Sequence, residues 1–349
     1  MEKQISIIIP TYNMEAYIGK CLDSLLIPEF DAVEVLVVND GSRDRSSEIA
    51  HSYADRYPAS IHVIDKPNGN YGSCINAALP LATGRYVKVL DADDTFDTDA
   101  FSRFVQILPK IDDDAVITSY LSVDENGDTI KKHDYSGWKI QPNYSYNVQH
   151  AINLFLNRYI DMHRITYSMR IFKNINYHQT EGISYTDTEW AIIPLSACQR
   201  FRFINLYLYR YLQGREGQTM DPKNISRNLN HLFIILKRLV LTYVSINDNN
   251  HRKLILYNHI RNRHKTTYFF AISAHHATAM TLLKDYDTGL RDKCPEMYEA
   301  VGNIRYTPNV RYCVFDHLRK IDYPVNYNTP LWVKVLVSAS SKFKKVFHV

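Results

Sequence analysis

The first ~120 residues alternate between two hydrophobic periods, and no other feature limits the fold so tightly. Ser6-Ile-Ile-Ile9, Val33-Glu-Val-Leu-Val-Val38, Ile61-His-Val-Ile64, Tyr86-Val-Lys-Val-Leu90 and Ala115-Val-Ile-Thr118 are short β-branched runs, as expected of strands buried on both faces. Between the first two, Ile18, Cys21, Leu22, Leu25 and Leu26 recur at helical spacing. Further helices are expected after residues 42–44, whose short polar side chains suit an N-cap, and around 73–81 and 98–108. Short strands joined by single helices predict an α/β fold with a Rossmann-like, mostly parallel nucleotide-binding sheet. Ligands of such sheets sit beyond the carboxyl ends of the strands. Four polar turns, Pro10-Thr-Tyr-Asn13, Asn39-Asp-Gly-Ser42, Asp65-Lys-Pro-Asn-Gly-Asn-Tyr-Gly72 and Asp91-Ala-Asp-Asp94, should therefore converge on one crevice.

The last of these turns poses an electrostatic problem. Three carboxylates within four positions repel one another, so they shift their pKa values or cost stability unless something positive stands among them. A hard, oxygen-rich set at the end of a strand suits Mg²⁺ or Mn²⁺. A calcium hand is excluded because the sixth loop position, which needs Gly, is Phe96.

Beyond residue 120 the pattern loosens. Residues 124–146 are polar and punctuated by Gly and Pro, reading as loops or edge strands. Helical patterns return at 148–159 and 188–199, and beyond Asp221 the chain reads as largely helical, with 225–246 the longest stretch. Residues 1–220 are thus expected to form one domain, divided into a nucleotide-binding half (1–120) and an acceptor half (121–220), with 221–349 a helical C-terminal region. A helix over 329–349 would put Leu331, Trp332, Val335, Leu336, Ala339, Phe343, Val346 and Phe347 on one side, with Lys334, Lys342, Lys344 and Lys345 on or beside the other. That is the pattern of a helix lying on an anionic membrane surface, or of one docked on the domain.

Charge divides the same way. Residues 1–175 carry 17 Lys and Arg against 24 Asp and Glu, and residues 176–349 carry 24 against 13. The five cysteines are scattered with no Cys-x-x-Cys pair, which argues against a disulfide framework or a zinc site. With no basic leader and no run of ~20 apolar residues, the expectation is a cytoplasmic chain, peripheral at most on the inner face of the membrane.

Taken in order, Ser6-Ile-Ile-Ile-Pro-Thr-Tyr-Asn13, Val37-Val-Asn-Asp-Gly-Ser42, Asn70 to Asn76, and Val89-Leu-Asp-Ala-Asp-Asp94 resemble glycosyltransferase family 2, the inverting sugar-nucleotide transferases of the A-type fold. The likeness is strong over residues 5–100 and weaker to about 220. By that resemblance Pro10, Thr11, Tyr12 and Glu15 border the nucleotide and Asp40 reads a uracil base. Asn70, Asn76, Asp91 and Ala92 belong to the nucleotide-sugar site, with Asp91 near the ribose. Asp93, with Asp91 and Asp94 beside it, holds a Mn²⁺ or Mg²⁺ that bridges the diphosphate. The general base of an inverting transfer falls in Ser184-Tyr-Thr-Asp-Thr-Glu-Trp190, at Asp187 with Glu189 as the alternative; Thr186 stands where the family usually has Glu. Tyr209-Arg-Tyr-Leu-Gln-Gly-Arg-Glu-Gly-Gln-Thr219 resembles a motif of polysaccharide-assembly members, and its Arg215 is suited to phosphate. The resemblance implies a UDP-sugar donor, a glycan or lipid-linked acceptor and no nucleic-acid partner. A nucleotidyltransferase would show a Gly-rich, Lys/Arg-bearing loop after the first strand, and a dehydrogenase a Gly-x-Gly-x-x-Gly. Neither is present. A binding subunit that keeps the fold without the chemistry is the remaining alternative.

Overall fold

A computed structural model describes residues 2–155, 158–215, 222–247, 251–307, 310–328 and 330. The expected surface helix over 329–349 and Gln218 and Thr219 of the downstream motif lie outside the described residues. The chain divides into two compact units, residues 1–218 with 248–256, and residues 219–247 with 257–349.

The first unit is built on a ten-stranded sheet. Its strands are β1 (Ile5–Thr11), β2 (Val33–Asn39), β3 (Ile61–Asp65), β4 (Tyr86–Val89), β5 (Thr95–Phe96), β6 (Ala115–Val123), β7 (Thr129–His133), β8 (Ser145–Asn147), β9 (Ile165–Ser168) and β10 (Arg200–Leu212). The main path runs β3-β2-β1-β4-β9-β6-β10-β5. Strands β3, β2, β1 and β4 pair in parallel, as do β6 and β10. Strand β9 lies antiparallel between β4 and β6. The antiparallel strands β7 and β8 at the margins fit the loop-or-edge character of 124–146.

Helices α1 (Ile18–Asp23), α2 (Ser46–Arg56), α3 (Asn70–Ala78), α4 (Thr98–Ile107), α5 (Val148–Phe155), α6 (Met169–Ile175) and α7 (Asp187–Ala197) belong to this unit. Their apolar faces meet the sheet in two core clusters. Ile5, Ile7, Ile9, Val35 and Val37 pack with Cys21, Leu22, Phe101 and Phe104 in one; Ile8, Leu36, Val38, Val87 and Val89 pack with Cys74, Ile75 and Trp190 in the other. The alternating partners along β1 show why these strands are apolar throughout. Helix α1 is shorter than the 18–26 periodicity suggests. The Ser24 hydroxyl donates to the Cys21 carbonyl at 2.6 Å, a local bond that competes with the helical ladder, and Pro28 follows. Leu25 stays buried just past the helix end.

The second unit contains α8 (Pro222–Arg227), α9 (Leu229–Val244), most of α10 (His251–Ser273), α11 (Ala277–Lys293), α12 (Pro295–Gly302) and α13 (Val314–Lys320), with a small hairpin of β11 (Arg305–Thr307) and β12 (Val310–Cys313). The 225–246 stretch is not one helix. Asn228 leaves helical geometry and caps α9, a position that suits its short polar side chain, and the longest helix is the 23-residue α10. Buried Asp287 organises this unit, accepting from Tyr268, Tyr323 and both Nε and Nη2 of Arg319.

Candidate active site

The carboxyl ends of β1, β2, β3 and β4 come together, as the sheet rule requires. Here the loops after β1 and β2 are sewn to each other. Asn13, at φ 52°, donates its N–H to Ser42 Oγ (3.1 Å) and accepts from the Arg43 N–H (2.8 Å). Glu15 accepts from the Arg45 N–H (2.9 Å) while its own N–H donates to Asp44. Glu15 is therefore engaged in shaping the rim. Thr11 is buried, and Tyr12 stands 40% exposed at the mouth.

Asp40 follows β2 with 3% of its surface exposed. Its Oδ1 accepts from Lys66 Nζ (2.7 Å) and the Gly69 N–H (2.9 Å), and Ser73 Oγ lies at 3.4 Å. The bonds from Lys66, Gly69 and Ser73 all fall on Oδ1, and the Cys74 thiol lies beside the same carboxylate. Lys66 was missed as a sequence candidate although it stands in one of the four turns; nothing in the local pattern marks it as the counter-ion of Asp40.

Asn70 opens α3 with φ 64°. Asn76 is engaged by the segment between α6 and α7. Its side chain donates to the Gln179 carbonyl and to Glu181 and accepts from the Gln179 N–H, each at 2.8 Å. It thereby clamps the loop before α7.

The acidic turn after β4 divides its carboxylates among different partners. Asp91 Oδ1 accepts from the Tyr71 hydroxyl (2.9 Å). Asp94 is 1% exposed, accepting from the Tyr209 hydroxyl at Oδ2 and the Leu212 N–H at Oδ1, both at 2.7 Å. Asp93 pairs with Arg215 Nε at 2.6 Å, both side chains being mostly buried. Burial pushes the Asp91 carboxyl up to about 6, the Asp93 charge adding to it, with His163 and the Tyr71 bond opposing. Burial first, then the charges of Asp93 and Asp91, raise Asp94 well above the carboxylate range. Uncompensated carboxylates of this kind fit a divalent cation. Asp91 and Asp94 also have a third neighbour, since their oxygens and a ring nitrogen of His163 lie within 4.8 Å of one another. His163 precedes β9, a strand whose placement between β4 and β6 no local signal announces.

The two candidates for the base separate clearly in the structure. Asp187 begins α7, following Tyr185 at φ 67°, and its charge raises the pKa of Asp91. Glu189 is fully buried, with Oε2 accepting from the Thr180 N–H (2.9 Å) and Oε1 from the Thr180 hydroxyl (2.7 Å). Thr186 is buried too, accepting from Gln179 Nε2 at both its carbonyl and its hydroxyl. Glu189 and Thr186 thus fix the loop, and the charge of Asp187 is felt at Asp91.

A Rossmann-like sheet with an acidic, strand-end corner and a distant carboxylate brought to it defines a nucleotide-sugar transferase type of site. Residues 6–176 match the profile described as Glycosyl transferase family 2, and the chain belongs to that family. It is 29% identical over 221 residues to the uncharacterized glycosyltransferase EpsJ of Bacillus subtilis, covering 62% of this chain and 63% of that protein. The chain thus spans less than two thirds of the length of that relative. Among solved structures, S. aureus TarS 1–349 in complex with UDP-GlcNAc aligns with TM-score 0.64 at 21% identity, covering 85% of this chain and 83% of that one. The mannosyltransferase PcManGT from Pyrobaculum calidifontis, in complex with GDP-Man and Mn²⁺, aligns with TM-score 0.50 at 16% identity over 86% and 85% of the two chains. These likenesses show the fold, with its helical C-terminal region.

Proposed function

We propose that this chain is an inverting glycosyltransferase that moves a sugar from a UDP-sugar to a hydroxyl of a glycan or lipid-linked acceptor in cell-surface polysaccharide synthesis. What supports the reading is that the charge of Asp187, from a helix more than ninety residues downstream, adds to the raised proton affinity of Asp91, while Glu189 is held by Thr180. The Asp40 Oδ2 would accept from the imide N–H of uracil, its other oxygen held by Lys66 and Gly69. Asp187 takes the proton of the acceptor hydroxyl as that oxygen bonds to the anomeric carbon, and the bond from that carbon to the diphosphate breaks on the opposite face. The products are the glycoside of inverted configuration and UDP, whose added negative charge Arg215 is placed to receive. A Mn²⁺ or Mg²⁺ held at the corner of Asp91 and Asp94, beside Asp93, would stabilise that charge as a Lewis acid. UDP-GlcNAc in the TarS complex and Mn²⁺ in the PcManGT complex support the donor and the cation. No described helix is long and apolar enough to cross a membrane, and the basic second half of the chain suits a peripheral position at the cytoplasmic face, where a lipid-linked acceptor would be met.

The test is Asp187→Asn, assayed for UDP release with a panel of UDP-sugars and for UDP binding by calorimetry. Turnover should fall on the order of 10²- to 10⁴-fold with UDP affinity unchanged. Retained turnover removes Asp187 as base. Absence of UDP binding in the parent chain removes the donor assignment.

A further inference from the structure

The corner that would hold the cation is supported from beneath by a second set of buried polar groups. Lys88, in the middle of β4, is fully buried and donates to the carbonyls of His163 (2.7 Å) and Ile165 (3.2 Å). It therefore ties the start of β9 to the strand that ends in Asp91. The imidazole of His163 packs against the rings of Tyr209 and Tyr211, with centroids at 4.8 and 4.6 Å. Its Nδ1 lies 3.4 Å from Asp161 Oδ1, an ion-pair contact, and both of these buried atoms are without a hydrogen-bond partner. With Nδ1 beside the Asp161 carboxylate, Nε2 would be the nitrogen offered to a cation shared with Asp91 and Asp94. A histidine that gives one ring nitrogen to a carboxylate and the other to a metal is a recurrent arrangement, in which the carboxylate fixes the tautomer and raises the basicity of the ligand.

We propose that His163, oriented by Asp161 and anchored through its backbone by Lys88, is a protein ligand of the divalent cation together with Asp91 and Asp94. This inference rests on the reading that the site binds such a cation. Distances favour it. The three ligand atoms lie within 4.8 Å of one another, a spacing that one divalent cation with bonds of ~2.1 Å would draw closer. Asp93 is otherwise engaged with Arg215 at 2.6 Å. Lys88 and Asp161 are positioning residues, because they act through His163.

Mn²⁺ makes the proposal testable by spectroscopy, since an imidazole nitrogen bonded to the ion modulates its electron spin echo. The full-length chain is titrated with Mn²⁺ in the presence of UDP, reading bound ion from loss of the free-ion resonance and its ligands from the ¹⁴N modulation. The parent complex should show the modulation. His163→Gln should abolish it, and Asp161→Asn should keep it while weakening Mn²⁺ binding roughly 10- to 100-fold. UDP binding without metal, measured on both variants, checks that the site is folded. Modulation that is absent in the parent complex, or that persists in His163→Gln, overturns the proposal and leaves the cation reading intact. A parent chain that takes up no Mn²⁺ with UDP present overturns both.

Discussion

Gly72→Ala probes how the fold places Asp187. Gly72 lies in the first turn of α3, and a Cβ there would sit 2.0 Å from the Thr180 carbonyl oxygen and 2.9 Å from its carbon. The obstacle is backbone, so no side chain can rotate away. Restoring an ordinary carbon–oxygen contact of about 3.3 Å requires α3 and Thr180 to separate by roughly 1.3 Å. Thr180 holds both oxygens of Glu189, and Gln179 holds Thr186, so the displacement passes to both sides of Asp187. Overpacking of this kind costs about 1–3 kcal/mol, which at about 2–4 °C per kcal/mol lowers Tm by several degrees. A catalytic group displaced by about 1 Å costs on the order of 10²-fold in rate. Gly289→Ala is the matched control, being a glycine inside α11 with nothing within 4 Å of the new methyl; it should raise stability by about 0.5–1 kcal/mol. Calorimetric melting and UDP release give the two readouts. If Gly72→Ala melts within a degree of the parent and turns over within twofold of it, the contact between α3 and Thr180 does not set the position of Asp187.

Breaking the buried pair of Lys66 and Asp40 by Lys66→Met should destabilise the chain by about 3–5 kcal/mol, and adding Asp40→Asn should recover part of that in urea melts while UDP affinity stays weak. Mn²⁺ and UDP added together should raise Tm by more than the sum of their separate shifts, since a ligand that binds only the native state stabilises by mass action; additive shifts would place them at independent sites. In the second unit, burial lowers His259 and His264 to about 4 each. Their rings are neutral in the native state, and the unfolded chain takes up a proton at each below about 6.5. Stability is therefore intact above pH 6.5 and is lost as pH falls toward 4, up to a tenfold loss in the folding constant per pH unit per histidine. Hydrogen exchange of α10 and α11 should accelerate over that window beyond the intrinsic pH effect, and His264→Phe should reduce the slope.

How far the sequence could be read depended on whether a signal was local. The strands at 6–9, 33–38, 61–64, 86–90 and 115–118 carry their own periodicity, and each is found in the sheet. The acidic turn and Asp40 stand at strand ends, where topology alone brings them together. His163 carries no such mark, because its place depends on β9 entering antiparallel between β4 and β6. Lys88 reads as one more residue of a strand, and only the fold shows its Nζ bonded to the carbonyls of His163 and Ile165. The sequence favours Asp187 over Glu189 as base; what it leaves unseen is the pair of Thr180 contacts that engage Glu189, which belong to a loop clamped by Asn76 from another helix.

These contacts divide the carboxylates of the crevice into two groups. Asp40 and Asp93 are each neutralised by a cation of the chain itself, Lys66 and Arg215. Asp91 and Asp94 make no ion pair among the described residues, and they are the two whose proton affinity is raised. The folded chain thus concentrates electrostatic strain at one corner, where the hydroxyls of Tyr71 and Tyr209, the Leu212 N–H and His163 compensate it only in part. Strain of this kind persists only when the surrounding structure over-determines it. Here Leu212, Tyr209 and Tyr71 bind the two carboxylates from β10 and α3, so they cannot move apart to relieve their repulsion. A cation would gain most at that point, and only in the native state, because the unfolded chain separates the elements that converge there. The same rigidity that costs stability at this corner would reserve it for metal and diphosphate.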